Sequence, residues 1–358
     1  MTRRSLDRAA EGIGHVSPNP LVGCVITSRN GEIVGEGTYI YDNLIHAEAI
    51  ALEKAGEKAR GGTAFVSLEP HDHHGKTPPC TEALINAGIA RVVCPIEDPN
   101  PLVSGRGFET LRKAGVDVVT GLLADEAARL NEQFICWHQK KRPFVHLKLA
   151  MSLDGRISLG KSVSTAISSE AAGVRVQDLR HSHDAILVGG NTAAVDNPSL
   201  TDRSGKKRRR PLVRVILDNR LRTSVDSIVA STTAAAPTII FTNSEDGRKI
   251  DELTEKGVSV IVSETGARDL KFVLESLRQM DIQSVLVEGG TEIAGAFVDA
   301  RLIDKVTLIA APFIVGGHTA PVAIGGNGAR SLETALHLND LFVENVGRDV
   351  VLTGYPSF

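Results

Sequence analysis

The sequence predicts a two-domain α/β protein, and three observations carry that expectation. At 358 residues the chain exceeds the roughly 250 residues at which a single hydrophobic core stops growing. Short β-branched runs alternate with helical stretches, the pattern of a sheet with helices on its faces. Near the middle a polar cluster closed by proline, Gln139-Lys140-Lys141-Arg142-Pro143, interrupts the alternation, which then begins again. The expected domains are therefore residues 1–140 and 143–358.

In chain order, the first domain is expected to hold strands at Val22 to Thr27, Glu32 to Glu36, Thr63 to Leu68 and Arg91 to Pro95. Helices near Ala47 to Ala59 and Cys80 to Ala87 lie between them, and one continuous helix is expected from about Ala124 to His138. The second domain opens with a strand at Phe144 to Ala150, followed by a helix at about Glu170 to His181 and a strand at Ala185 to Val188. Further strands are expected at Val213 to Leu217, Thr238 to Phe241, Val258 to Val262, Ser284 to Val287 and Val306 to Ala310.

Composition narrows the class. Hydrophobic residues make up 42% and charged residues 23%, which excludes collagen-like, coiled-coil and disordered chains. The longest apolar run, around Leu308 to Val315, is too short to span a bilayer, so no membrane association is expected. Arg3, Arg4, Asp7, Arg8 and Glu11 break any apolar core at the N-terminus, which does not read as a signal peptide; a cytoplasmic protein is expected. A net charge of −3 gives no bulk reason to expect nucleic acid. The basic run Lys206 to Arg210 reads as a solvated loop, with a phosphate contact or an RNA backbone as the alternatives. Cys24, Cys94 and Cys136 fall in apolar strands or a helix, where a thiol acts as a small hydrophobe.

Cys80 differs, because it follows two prolines at a helix start, where the helix dipole favours thiolate. The segment from Glu69 to Cys80 carries His71, His73 and His74 between a strand and that helix. Catalytic zinc takes three such N/S ligands and keeps one position open for water. His46, Cys80 and one residue near His71 would supply three, with His73 and His74 as alternative nitrogens. Glu48, two residues from His46 and not itself a ligand, would then shuttle the proton to a leaving amine. This is the logic of the zinc nucleobase deaminases, whose signature is H-x-E followed by P-C-x-x-C.

In the second half, Phe144 to Gly155 places Lys148 on an otherwise apolar strand, where a lysine needs a partner such as a phosphate or a sugar hydroxyl. Val285-Leu-Val-Glu288-Gly289-Gly290-Thr291 gives a strand, a glycine turn and a helix start. Such a turn points backbone N–H groups and the helix dipole at an anion. It is not the G-x-G-x-x-G fingerprint of a dinucleotide-binding domain.

Taken together, these segments resemble the bifunctional deaminase–reductase family of riboflavin biosynthesis. The resemblance rests on Ser17-Pro18-Asn19-Pro20-Leu21-Val22-Gly23-Cys24, on His46-Ala47-Glu48, on Glu69 to Cys80, and on Asp98-Pro99-Asn100-Pro101 with Gly105 and Gly107. In the second half it rests on Phe144 to Gly155, Asp184 to Thr192, Asp196-Asn197-Pro198, Leu200 to Arg203 and Val285 to Thr291. Eight residues separate His71 from Cys80, as in that family, whereas tRNA adenosine and cytidine deaminases keep two between their later ligands. The resemblance covers nearly the whole chain and implies a cytidine-deaminase-like α/β/α domain followed by a dihydrofolate-reductase-like α/β domain. It implies zinc on His46, His71 and Cys80, with Glu48 as the catalytic residue. It also implies NADPH on Ala150, Ala166, Thr192, Asp196, Asn219 and the turn Gly290, Thr291, Glu292, Ile293, Ala294 and Gly295.

The implied substrate is a pyrimidine ribosyl phosphate, met by Lys148, Ser164, Arg180, Leu200, Arg203 and Glu288. Arg180 and Arg203 suit a phosphate, Glu288 suits ribose hydroxyls, and Lys148 and Asp196 are the candidate proton donors of the reduction. A homo-oligomer is kept open. Two departures stand out: His71 replaces the cysteine that follows Glu-Pro in the family, and Ala166 replaces a tryptophan. A chain that retains only the reductase, its deaminase silenced by His71, is the alternative.

Overall fold

A computed structural model describes residues 1–74, 78–101, 103–160 and 163–357. The chain divides into two compact units, one of residues 1–142 with 207–209 and one of residues 143–206 with 210–358.

The first unit opens with α1 (Thr2–Ala10), a helix not anticipated because the face it buries is made of the small or polar Thr2, Ser5 and Ala9 beside Leu6. Then come β1 (Gly23–Thr27), β2 (Ile33–Thr38), α2 (Ala47–Ala55), β3 (Thr63–Val66), α3 (Cys80–Asn86), β4 (Arg91–Cys94), α4 (Arg106–Lys113), β5 (Asp117–Thr120), α5 (Ala124–Leu130) and α6 (Glu132–Gln139). The sheet order is β2-β1-β3-β4-β5, antiparallel at β1 and parallel from β3 to β5. Its core joins Cys24, Ile26, Ala64, Val66, Val92 and Cys94 to Ala47, Ala51, Leu84, Phe108 and Leu111. Gly35 and Gly37 of β2 let α2 lie against the sheet, since a Cβ there would meet the Ala51 and Ala47 carbonyls at 2.0 and 2.1 Å.

The continuous helix expected from Ala124 to His138 is instead two helices meeting at Asn131. The Asn131 side chain accepts from the Leu21 N–H at 2.8 Å and donates to its carbonyl at 3.0 Å. A side chain that bonds another segment's backbone in this way competes with helix continuation.

The second unit runs β6 (Phe144–Ser152), α7 (Glu170–His181), β7 (Ala185–Gly189), α8 (Gly190–Asp196), β8 (Val213–Leu217), α9 (Ile228–Ser231), β9 (Thr238–Thr242), α10 (Gly247–Glu255), β10 (Ser259–Val262), α11 (Leu270–Gln279), β11 (Ser284–Val287), α12 (Thr291–Asp299), β12 (Lys305–Ala311), β13 (His337–Val346) and β14 (Asp349–Ser357). The nine strands order as β10-β9-β8-β7-β11-β6-β12-β14-β13. All neighbours from β10 to β12 are parallel, and the last two pairings are antiparallel. Alternate residues of the parallel strands enter two different cores. Leu187, Val215, Phe241 and Val287 face one, and Ile186, Val188, Ile216 and Ile240 face the other. Cover on both faces is why these strands read as mostly apolar runs, broken at Arg214 of β8 and at His146 and Lys148 of β6. Among the described residues no helix is long and apolar enough to cross a membrane.

The basic run is mostly engaged. Lys206 pairs with Asp178 at 2.7 Å, Arg210 with Asp184 at 3.3 Å, and the Arg209 guanidinium donates to the Ser17 carbonyl while lying 4.0 Å over the Tyr41 ring.

Candidate functional sites

In the first unit His46 caps α2 in an extended conformation, φ −72° and ψ 154°, which turns its ring off the helix end. Cys80 opens α3 directly after Pro79, and His71 stands on the segment that follows β3. Their donor atoms all lie within 4.8 Å of one another, and the His46 and His71 ring centroids are 4.4 Å apart. Zinc bonds of about 2.0–2.3 Å would draw the three slightly closer. The alternative nitrogens sit elsewhere: His73 meets the His71 ring edge at 5.2 Å, and the exposed His74 pairs with Glu82 at 3.1 Å. Gly75, Lys76 and Thr77 lie outside the described residues.

The first turn of α2 directs Glu48 inward, where it is 2% exposed and its Oε2 has no hydrogen-bond partner among the described residues. A buried carboxylate oxygen left unpaired is costly, which marks a place for a group that the protein does not itself supply. Burial, then the neighbouring His46 and His73, lowers the His71 imidazole to about 4 and leaves it in its neutral, ligating form. Burial and the nearby Glu48 push the Cys80 thiol well up; a cation at this point reverses that preference. Two imidazoles, one thiol and an orphaned carboxylate oxygen therefore fit zinc. Cys24, Cys94 and Cys136 are all buried and unbridged, as small hydrophobes would be.

In the second unit Lys148, Arg180 and Glu288 come from β6, the last turn of α7 and the residue after β11. Arg180 grips Glu288 in a fork, Nε to Oε1 at 2.8 Å and Nη2 to Oε2 at 3.1 Å, and the Lys148 ammonium stands 3.6 Å from Oε2. Burial alone would raise the Glu288 carboxyl, yet the Lys148 and Arg180 charges and hydrogen bonds outweigh it and bring it to about 2. Arg180 Nη1 also donates to the Thr201 carbonyl at 3.1 Å, and His181 meets Asp202 at 2.9 Å, so the loop from Leu200 to Arg203 is fastened to this cluster. Leu200 is buried in the core, and Arg203 is exposed.

The residues expected to meet the cofactor gather at carboxyl ends of adjacent parallel strands, where open α/β sheets bind ligands. Thr192 and Asp196 follow β7, Asn219 follows β8, and Gly290 caps α12 after β11. A Cβ on Gly290 would meet nothing nearer than Ile157 at 3.8 Å, so the cap is open to a ligand. Thr291, Glu292 and Ile293 form the first turn of α12. Ala294 and Gly295 are placed differently. The Ala294 side chain is fully buried and its N–H donates to Gly290, while Gly295 packs on the Gly325 backbone. Asn219 accepts from the Ala267 N–H at 2.7 Å. Ala150 is half-buried on β6, and Ser164 and Ala166 are exposed.

Three features escaped the sequence reading. Asp218, 1% exposed, holds Thr223 through Oδ2 and leaves Oδ1 unpaired beside Gly190. His146 and His183 form a buried pair at 3.3 Å that continues through Thr307 at 2.8 Å. Glu69 and Asp72 flank His71 with hydrogen-bonded carboxylates. Asp218 carried a signal in its position at the end of an apolar strand, and Glu69, Asp72 and His146 lie within the segments Glu69 to Cys80 and Phe144 to Gly155 that carry the resemblance.

Residues 143–352 match the family model described as the RibD C-terminal domain, and residues 2–96 match the cytidine and deoxycytidylate deaminase zinc-binding region. The riboflavin biosynthesis protein RibD of Actinobacillus pleuropneumoniae is 42% identical, covering 98% of this chain and 93% of its own length. That of Escherichia coli is 38% identical, covering 98% and 96%. Among solved structures, Acinetobacter baumannii RibD superposes with a TM-score of 0.88 at 33% identity, over 100% of this chain and 98% of that one. The Thermotoga maritima diaminohydroxyphosphoribosylaminopyrimidine deaminase/5-amino-6-(5-phosphoribosylamino)uracil reductase does so at 0.87 and 36%, over 99% and 97%. With relatives this similar over almost their full length, the chain belongs to the RibD family of riboflavin-biosynthesis proteins.

Proposed function

We propose that residues 1–140 deaminate and residues 143–358 reduce a diaminopyrimidinone ribosylamino 5'-phosphate, with the ring amino group leaving as ammonia before the ribosyl chain becomes ribityl. As a RibD-family member the chain is a zinc- and NADPH-dependent deaminase and reductase of riboflavin biosynthesis. Zinc supplies the Lewis acidity that makes water nucleophilic near neutral pH, and NADPH supplies the reducing equivalents.

The chain's own residues do the rest. His46, His71 and Cys80 hold the metal. The unpaired Oε2 of Glu48 takes a proton from water and returns it to the departing amine. In the second unit Arg180 and Glu288 orient the ribosyl phosphate, Arg203 reaches its phosphate, and Lys148 or Asp196 supplies the proton that accompanies reduction. Gly290 to Ile293 offer N–H groups to the cofactor phosphates, with Ala294 and Gly295 backing the turn, and Ala150, Ala166, Thr192, Asp196 and Asn219 line the remainder. Ser164 completes the substrate wall, and Leu200 backs it from within the core. The compartment is the cytoplasm, nucleic acid and membrane are not partners, and the exposed Leu341, Phe342 and Val343 of β13 suit a second copy of the chain.

The observation that carries this reading is the convergence of His46, His71 and Cys80 beside an orphaned carboxylate, because a silent domain has no reason to keep an unsatisfied buried acid. Nothing favours a chain that only reduces. Ammonia release from the diaminopyrimidinone substrate without NADPH tests it. Turnover on the order of 1 per second or more is expected; absence of release with reduction of the deaminated substrate intact would establish a silent deaminase.

A further inference from the structure

A metal ligand is only as well placed as the backbone that carries it, and the backbone on both sides of His71 is clamped by acids. On one side Glu69, 4% exposed, accepts backbone N–H bonds from Asp98 at 3.0 Å, Gly105 at 2.9 Å, Gly107 at 2.9 Å and Phe108 at 3.4 Å. On the other side Asp72 accepts the Thr81 hydroxyl through Oδ1 at 2.6 Å and the Thr110 hydroxyl through Oδ2 at 2.8 Å. Thr81 is fully buried and follows Cys80, and its N–H donates to the His71 carbonyl at 3.4 Å. Thr110 stands on α4. One carboxylate therefore ties the neighbour of His71 to the neighbour of Cys80 and anchors both to a third element.

We propose that Asp72 is a positioning residue of the metal centre, fixing the separation of His71 from Cys80 through its grip on Thr81. The inference rests on the reading that His71 and Cys80 are ligands. Partners one step removed from a metal ordinarily change its affinity by about 10- to 100-fold when lost. Asp72 does this through the chain, because both of its oxygens are engaged by hydroxyls, one on the residue after Cys80 and one on α4. The grip on Thr81 and Thr110 is then the main requirement. Asparagine, which still accepts from Thr81 and can donate to a rotated Thr110 hydroxyl, retains most of the function.

The test uses the full-length chain and Zn2+ in competition with a chromophoric chelator, with NADPH-dependent reduction as the check on the other unit. Asp72→Ala and Thr81→Val are expected to weaken zinc by about 10-fold or more, and Asp72→Asn by less than about 3-fold. The absorption bands of the Co2+-loaded protein are expected to shift in the alanine variant and return in the asparagine variant. Zinc affinity and Co2+ bands unchanged in both Asp72→Ala and Thr81→Val would overturn the proposal. Cys80→Ala separates the two readings: if it keeps the zinc stoichiometry of the parent, the ligand assignment itself fails.

Discussion

The candidate metal centre and the Lys148–Arg180–Glu288 cluster are both built from half-buried or buried side chains of three elements, yet one is open and the other closed. Beside His46, His71 and Cys80, Glu48 keeps a buried oxygen without a partner among the described residues, and burial, then Glu48, raises the Cys80 thiol. Around Glu288 the charges are matched inside the protein, since one carboxylate is shared by a guanidinium fork and an ammonium. The first arrangement needs a cation to be complete. The second is paired within the chain.

That contrast can be broken or sharpened by substitution. The largest effect is expected at Glu48→Gln, which removes the proton carrier and leaves the three ligands: deamination should fall by about 10²- to 10⁴-fold with zinc content and reduction unchanged. Glu288→Ala should act on both stability and activity. Removing one partner of a buried ion pair costs about 3–5 kcal/mol, because Arg180 and Lys148 lose the carboxylate they share, and thermal unfolding of the variant should show it along with loss of reduction. The same cluster sets a pH dependence. A carboxyl lowered on folding contributes stability above its ordinary pKa, so the Glu288 contribution should be full from neutral pH down to about 5 and vanish as pH falls toward about 2; denaturant midpoints in this range would show no such loss in Glu288→Ala. The smallest change is expected at Lys206→Ala. The pair with Asp178 is exposed, 57% and 34% on its two sides, and such pairs contribute at most about 1 kcal/mol, so both activities and the melting temperature should stay nearly unchanged.

Much of this molecule is legible in its sequence, and the exceptions have physical causes. The parallel strands stand out because two cores cover their sheet and most positions are apolar, with polar exceptions such as His146 and Lys148 on β6 and Arg214 on β8. β13 and β14 do not stand out, because β13 is mostly exposed and mixes polar residues with Leu341, Phe342 and Val343 without alternation. α4 hides behind the turn that Glu69 organises, since its start is fixed by a carboxylate 36 residues upstream of Gly105. The candidate metal ligands His46 and Cys80 are legible by residue type and position, while the choice of His71 over His73 and His74 came from the family resemblance, and His46, His71 and Cys80 are the three that lie together. Arg180 was read as a phosphate partner, and the structure gives its guanidinium to Glu288, 108 residues away. Pairings of that range, like those of Asp72 with Thr110 and His146 with His183, depend on how elements pack and leave no trace in local pattern.

The account rests on two chemistries carried by separate side-chain sets in one chain, one of them dependent on a metal. The direct measurement is chelation of the full-length protein with both reactions followed in the same sample. Ammonia release should fall to background and return on adding Zn2+, while NADPH-dependent reduction of the deaminated pyrimidine continues unchanged. Ammonia release that survives complete removal of zinc, or reduction that is lost with it, would contradict the account.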